Sequence, residues 1–207
     1  MRVGQGIDVH AFSGDPQRPL VLGGVVIAGA KGLDGHSDAD VATHAVIDAL
    51  LGAADQGDIG RHFSSNDPAH QNISSLKLLE STMGILANAG VIATSVDLTL
   101  VAQVPRLESH LPTMASILTE KVGCLVTCKA TTTDHLGFIG REEGIAALAI
   151  AVVEQQCPRR QSGADVVALL RSVGTHAPGG VNSHEGVVAN SGDGLVPMVS
   201  TNLVAIK

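Results

Sequence analysis

The 207-residue sequence predicts an α+β fold, a small mixed β-sheet with helices packed on one face. Three observations carry this. Ala42, Ala45, Val46, Ala49, Leu50 and Ala53 recur at helical spacing and form one apolar stripe of a helix over about residues 38–54. Val96, Leu98, Leu100 and Ala102 alternate with Asp97, Thr99, Val101 and Gln103, the period of a strand. The elements run strand, hairpin, helix, helix, strand, helix, strand, helix, so the later strands alternate with helices that each have one apolar side.

Residues 1–12 read as the first strand, with Ile7 and Val9 alternating with Asp8 and His10, so that the two polar side chains share a face. That face is expected to look outward, toward solvent or a partner subunit. Leu20 to Ala28 holds a Gly-Gly break between two apolar runs, a hairpin signal. In the first helix Asp38 and Asp40 suit the first turn, near the positive end of the helix dipole. His44 falls opposite the apolar stripe, on the side of Ser37, Asp40 and Leu51. Residues 55–73 are polar, Gly/Pro-punctuated and aperiodic, a functional type of loop. A second helix runs from Ser74 to about Asn88 and stops at Gly90. Pro105 opens a third, made irregular by Pro112 and ending near Val122. Cys124 to Thr132 is a further strand. Gly140 to about Gln155 reads as an apolar helix with Glu142 and Glu143 in its first turn.

The composition narrows the function classes. A formal net charge of −7, with 13 basic residues that form no cluster, argues against nucleic acid as a partner. With no Trp, no Tyr and three Phe, the chain lacks base-stacking platforms. No uncharged apolar run is long enough to span a membrane, and the N-terminus carries no signal or transit pattern. Cys124, Cys128 and Cys157 are odd in number and read as buried free thiols of a reducing cytoplasm. From Pro158 the character changes. Residues 158–207 hold seven glycines and little periodicity beyond Asp165 to Val173 and Val196 to Ile206, and read as a flexible or loosely docked extension of a domain spanning 1–157.

Three clusters can carry chemistry. Asp8, His10 and His44 are a ligand set for a divalent metal, although such a triplet taken alone equally describes unrelated polar residues. Asp58-Ile59-Gly60 followed by Phe63 to Pro68 is either a site loop or an ordinary surface loop with turn residues. Lys129 to Gly144 passes from a strand end through Thr131, Thr132, Thr133 and Asp134 into a glycine-flanked turn and helix. Hydroxyls, free N–H groups and Arg141 there suit an oxyanion such as phosphate.

In order along the chain stand Asp-Val-His at 8–10, His-Ser-Asp-Ala-Asp-Val at 36–41 with His44, Asp-Ile-Gly at 58–60 and Ala-Gln-Val-Pro at 102–105. Ala-Thr-Thr-Thr at 130–133 follows, with Leu-Gly-Phe at 136–138 and Gly-Arg at 140–141. Over residues 1–156 this resembles the 2-C-methyl-D-erythritol 2,4-cyclodiphosphate synthase family of non-mevalonate isoprenoid biosynthesis. The resemblance implies a homotrimer whose interior is lined by the sheet's other face, with active sites between subunits. It implies conversion of 4-diphosphocytidyl-2-C-methyl-D-erythritol 2-phosphate to the cyclic diphosphate with release of CMP. It assigns Zn2+ to Asp8, His10 and His44, and substrate contacts to the same segment, Val9 included. His36 and Ser37 contact the substrate beside the zinc. Asp58, Ile59 and Gly60 hold the erythritol, and Phe63, Ser64, Ser65, Asn66 and Asp67 close over it. Ala102, Gln103, Val104, Pro105, Arg106, Leu107 and Glu108, with Thr131, Thr132 and Thr133, hold cytidine and diphosphate from the neighbouring subunit. Asp134 ligates a second ion, Mg2+ or Mn2+, on the diphosphate, His36 and Thr132 stabilise the transition state, and Phe138 and Arg141 line the trimer interior. The chain departs from the family pattern at Asp134-His135, where Glu-Lys is commoner, at Ser65, at Ile7 and in the length of its tail. A metal-dependent hydrolase or a diphosphate sensor on the same scaffold are the other readings.

Overall fold

The computed structural model describes residues 1–64 and 73–156. Six strands and five helices follow in the order β1 (Arg2–Ala11), β2 (Leu20–Leu22), β3 (Val25–Ile27), α1 (Val41–Ala54), α2 (Ile59–His62), α3 (Ser75–Asn88), β4 (Val91–Val101), α4 (Leu111–Val122), β5 (Leu125–Thr131), α5 (Gly137–Gly140) and β6 (Gly144–Gln155). Four strands form one mixed sheet in the order β1-β6-β4-β5; β2 and β3 form a separate hairpin. β6 runs antiparallel to both β1 and β4, while β4 and β5 are parallel and joined through α4. Helices α1, α3 and α4 pack on one face of the sheet, as expected.

The last element is the main departure from the sequence reading. Residues 144–155 form the strand β6 and not a helix. The run Gly-Ile-Ala-Ala-Leu-Ala-Ile-Ala-Val-Val lies second in the sheet, hydrogen-bonded on both sides, and most of its side chains are buried. Both faces of the strand carry apolar side chains, Ile145, Ala147, Ala149 and Ala151 on one and Ala146, Leu148, Ile150 and Val152 on the other, so the run shows no polar alternation and periodicity does not separate it from a buried helix. Glu142 and Glu143 therefore precede a strand rather than open a helix.

The face of β1 is also reversed. Gly4, Gly6, Asp8 and His10 point toward α1, while Ile7 and Val9 lie on the opposite, exposed side at 55% and 47%. Two glycines allow the approach. A methyl at Gly6 would lie 2.6 Å from the Ala49 nitrogen and closer still to the Ala45 carbonyl oxygen. One at Gly4 would lie 2.9 Å from Ala53 Cα. The apolar stripe of α1 thus meets bare backbone, and its alanines are what leave room for contact. The helix is buried on its other side as well: Leu51, expected on the open face, is fully buried.

The N-terminus of α1 is set by Asp40, which is the cap; Asp38 lies before the helix, not in its first turn. The fully buried Asp40 carboxylate accepts from the Thr43 N–H (3.0 Å) and hydroxyl (2.6 Å) and from the N–H groups of Gly23 and Gly24 (2.8 Å each). One side chain therefore closes the helix end and fastens the β2–β3 turn to it. Burial pushes its pKa up, and the four donors oppose that. Pro112 sits in the first turn of α4, where it has no hydrogen bond to break, so the helix starts at Leu111 and is not interrupted. Residues 105–110, expected as its beginning, and Ala102 and Gln103, expected as the end of the strand, belong instead to a loop that contains a cis Val104–Pro105 bond.

Glycine at position 6 is required by backbone contact, whereas Gly84, exposed within α3, has nothing near it. Gly6→Ala is expected to lower stability to urea by about 3 kcal/mol or more through overpacking. Gly84→Ala is expected to raise it by about 0.5–1 kcal/mol through helix propensity. Equal effects of the two would contradict this account of the strand–helix contact.

Candidate active site

Because β1 approaches α1 so closely, the two inward polar residues of the strand reach the first turns of the helix. Asp8 Oδ2 lies 3.0 Å from His10 Nε2 and 3.0 Å from His44 Nδ1. The two imidazole centroids are 5.6 Å apart. Ligand atoms of all three side chains lie within 4.8 Å of one another, and among the described residues this is the one group of three that can hold a metal ion. Donors around a tetrahedral zinc at about 2.0–2.1 Å stand roughly 3.3 Å apart, so the set fits such an ion with small adjustments of side-chain torsions. Two imidazoles and one carboxylate also leave a fourth position for an incoming group.

The surroundings prepare the ligands. His10 Nδ1 is 2.5 Å from the Asp34 carbonyl oxygen, which can only accept, so the proton sits on Nδ1 and Nε2 faces the centre. His44 Nε2 lies 2.9 Å from Ser75 Oγ and 3.1 Å from Ser37 Oγ. Burial works to raise the pKa of Asp8, but its bonds to His10 and His44 outweigh burial and hold the carboxyl far below the ordinary range. The hydrogen bond to Asp8 raises the pKa of His10 against the opposing effect of burial.

His36 is exposed and Ser37 buried on the loop that enters α1. Arg18 fixes this loop through Nη2, which donates to the carbonyls of Gly35 (2.8 Å) and Ser37 (2.6 Å) on either side of His36. Its Nε is buried without a hydrogen-bond partner among the described residues. Asp58 caps α2 by accepting from the Arg61 N–H at 2.9 Å, and Asp48 of α1 accepts from the Ile59 N–H at 2.8 Å. Asp48 is half-buried, and burial raises its pKa. Neither Arg18 nor Asp48 was among the expected site residues. Asp48 carries a readable signal, one helical turn after His44 on the same side of α1; Arg18, in an irregular loop, carries none. Phe63 packs against the core and Ser64 is exposed. Ser65, Asn66 and Asp67 lie outside the described residues, as do Pro68, Cys157 and the whole of 158–207.

A second group gathers at the ends of β4 and β5. Ala102, Gln103, Pro105, Arg106, Leu107 and Glu108 border a groove of about 560 Å³ whose other wall is Cys128 to Thr132. The Ala102 N–H donates to the Thr131 carbonyl (3.0 Å), and Gln103 accepts from the His135 N–H at 3.2 Å. Val104, beside the groove, is exposed at 38%. Asp134 and His135 adopt left-handed backbone with φ of 49° and 64°, and the Thr132 hydroxyl donates to the Asp134 carboxylate at 3.1 Å. Thr133 Oγ1 donates to the Leu136 carbonyl at 2.8 Å. Phe138 is 44% exposed. Arg141 is not at a helix N-terminus: α5 is a single turn that ends before it, and the guanidinium pairs with Glu143 at 2.7 Å. Cys124 and Cys128 are free and half-buried, and burial pushes the Cys128 thiol up to about 11, so it carries no thiolate at neutral pH.

The sequence model of the YgbB family matches residues 1–154. A 2-C-methyl-D-erythritol 2,4-cyclodiphosphate synthase from Syntrophobacter fumaroxidans is 52% identical over 156 residues, covering 74% of this chain and 97% of the relative. The bifunctional IspDF of Campylobacter jejuni superposes with a TM-score of 0.71 at 38% identity, covering 74% of this chain but only 42% of that one. A CDP complex of IspF from Plasmodium falciparum gives a TM-score of 0.65 at 27% identity, covering 75% of this chain and 97% of the other. The match runs from the strand that bears Asp8 and His10 to the end of the strand paired with it, and the chain belongs to the YgbB family.

Proposed function

We propose that the chain catalyses ring closure of 4-diphosphocytidyl-2-C-methyl-D-erythritol 2-phosphate to 2-C-methyl-D-erythritol 2,4-cyclodiphosphate with release of CMP, a step of isoprenoid biosynthesis. The observation that carries this is the convergence of Asp8, His10 and His44 in a chain whose family relatives bear that name. The substrate is polyanionic and the protein acidic, so bound cations must supply positive charge. Asp8, His10 and His44 are assigned to Zn2+, and Asp134 to Mg2+ or Mn2+ shared with the diphosphate, a single-carboxylate arrangement suited to such ions. Divalent ions so held supply Lewis-acid polarisation of phosphoryl oxygens and neutralise the leaving phosphate.

The nucleophile is a phosphate oxygen of the substrate, ionised at neutral pH, so no strong general base is needed. The protein's work is to fold a flexible chain into an in-line geometry. Val9, His36 and Ser37 flank the metal ligands and are assigned to the reacting end. Asp58, Ile59 and Gly60, held by Asp48, are assigned to the erythritol, with Phe63 to Asp67 covering it. The groove from Ala102 to Glu108 and the hydroxyls of Thr131 to Thr133 are assigned to cytidine and diphosphate. His36 and Thr132 are assigned to stabilising the oxygens on which charge develops. A homotrimer is supported by the outer face of β1 and β6, where Val3, Ile7, Val9 and Ile150 are 47–64% exposed. Exposed apolar residues on one sheet face call for cover by another protein surface, and Phe138 and Arg141 are assigned to the same interior. Among the described residues no helix is long and apolar enough to cross a membrane.

Three measurements test this reading. Incubated with substrate and Mg2+, the protein is expected to give equal amounts of CMP and a cyclic diphosphate by 31P NMR. CMP with an open-chain product would indicate hydrolysis, and no turnover would leave a binding protein. Zinc must displace the proton that His10 holds above its ordinary pKa of 6.5, so zinc affinity is expected to rise as pH is raised from about 6 to 8 and then level off; a flat profile would contradict the ligand assignment. Relatives are matched almost end to end by about three quarters of this chain, so truncation after Cys157 is expected to leave assembly and turnover unchanged. Loss of either would assign residues 158–207 a structural role.

A further inference from the structure

We propose that Ser75 and Asp38 form a hydrogen-bonded relay that fixes the tautomer and orientation of His44, making both residues positioning elements of the metal centre. The proposal rests on the metal assignment above and concerns residues outside the ligand set.

His44 presents Nδ1 to Asp8 at 3.0 Å, and its other ring nitrogen lies 2.9 Å from Ser75 Oγ. Ser75 is fully buried at the start of α3. Its hydroxyl donates to Asp38 Oδ1, and its backbone N–H donates to Asp38 Oδ2 at 2.9 Å. The Asp38 backbone N–H in turn donates to the Ile73 carbonyl at 3.2 Å, so the loop before α1 and the start of α3 hold each other.

The proton count then decides the tautomer. A hydroxyl has one proton, and an ionised carboxylate can only accept. With that proton committed to Asp38, the Ser75 oxygen meets His44 with a lone pair. With a metal between Nδ1 and Asp8 in place of their 3.0 Å hydrogen bond, His44 must therefore carry its proton on Nε2, which leaves the Nδ1 lone pair directed at the ion. The reverse tautomer would set two lone pairs against each other at 2.9 Å and turn an N–H toward the metal. Ser37 Oγ, 3.1 Å from the same nitrogen, accepts from the Ala39 N–H (3.2 Å) and has no carboxylate partner, so it does not impose a direction. His10 is fixed in the opposite tautomer by the Asp34 carbonyl, and the two imidazoles reach one point through different nitrogens. Partners of this kind orient a ligand and strengthen its basicity, and their removal typically weakens metal affinity 10- to 100-fold.

The test is metal binding by the full-length apo protein, with Zn2+ alone in competition with a chromophoric chelator and Co2+ as a spectroscopic probe. Ser75→Ala is expected to bind zinc about 10- to 100-fold more weakly than wild type, with an altered Co2+ ligand-field spectrum. Ser75→Thr, which keeps the hydroxyl, is expected to recover most of the affinity. Wild-type zinc affinity in a folded Ser75→Ala variant would overturn the relay, and a lowered Tm of the apo protein with unchanged affinity would do the same by marking Ser75 as purely structural. Should Ser75→Ala fail to fold, Asp38→Asn supplies the answer: a severalfold loss is expected, and no loss overturns the relay. A wild-type chain that binds no zinc would remove the metal centre itself, a result distinguishable from failure of the relay alone.

Discussion

The site depends on how closely β1 can lie on α1. Along β1 the inward positions recur every two residues, a step of about 6.7 Å. Along the helix one face recurs every four residues, a step of about 6 Å. The two periods nearly match, so Gly4 meets Ala53 and Ala49, Gly6 meets Ala49 and Ala45, and the next inward residue, Asp8, meets His44. A larger side chain at position 4 or 6 would push the helix away and open the distance that Asp8 spans. Core packing and metal geometry are here one constraint, and the buried Asp40 cap holds the helix end to the β2–β3 turn at the same place.

The electrostatics follow from this packing. Asp8 is drawn into a partly buried position, where a lone carboxylate would be costly. Two imidazoles meet it on one side, and the groups behind them are acceptors: the Asp34 carbonyl behind His10, and Ser75 with Asp38 behind His44. Acceptors there keep the outer ring nitrogens protonated and the inner ones available. An acidic chain can then recruit cations at defined points and meet a polyanionic substrate through them.

Much of this was legible in the sequence, and the failures have physical causes. The stripe of α1, the Gly-Gly turn of β2–β3, the alternation of β4 and the ordered motifs from Asp8 to Arg141 led to the fold class and family, and Asp8, His10 and His44 do converge. The strand β6 is not legible because its outer face, with Ala146, Leu148, Ile150 and Val152, is as apolar as its buried one, so the polar alternation that separates strand from helix is missing. The polar face of β1 was assigned outward because polarity normally means solvent. Here the polar pair faces a helix and the apolar Ile7 and Val9 face out. Arg18 and Ser75 act through hydrogen bonds between segments distant in the chain, which neither periodicity nor motif spacing reports, whereas Asp48 stands one helical turn after His44 and was open to a periodicity argument.

The claim that one strand and one helix hold a single zinc ion through Asp8, His10 and His44 is tested most directly by X-ray absorption at the zinc edge, on protein loaded with one equivalent of the metal. The account predicts a shell of two imidazole nitrogens and oxygen ligands, all at about 2.0–2.2 Å, with no sulfur. A sulfur shell near 2.3 Å would place the ion at Cys124 or another cysteine, and a shell with fewer than two imidazoles would break the link between the β1–α1 packing and the chemistry.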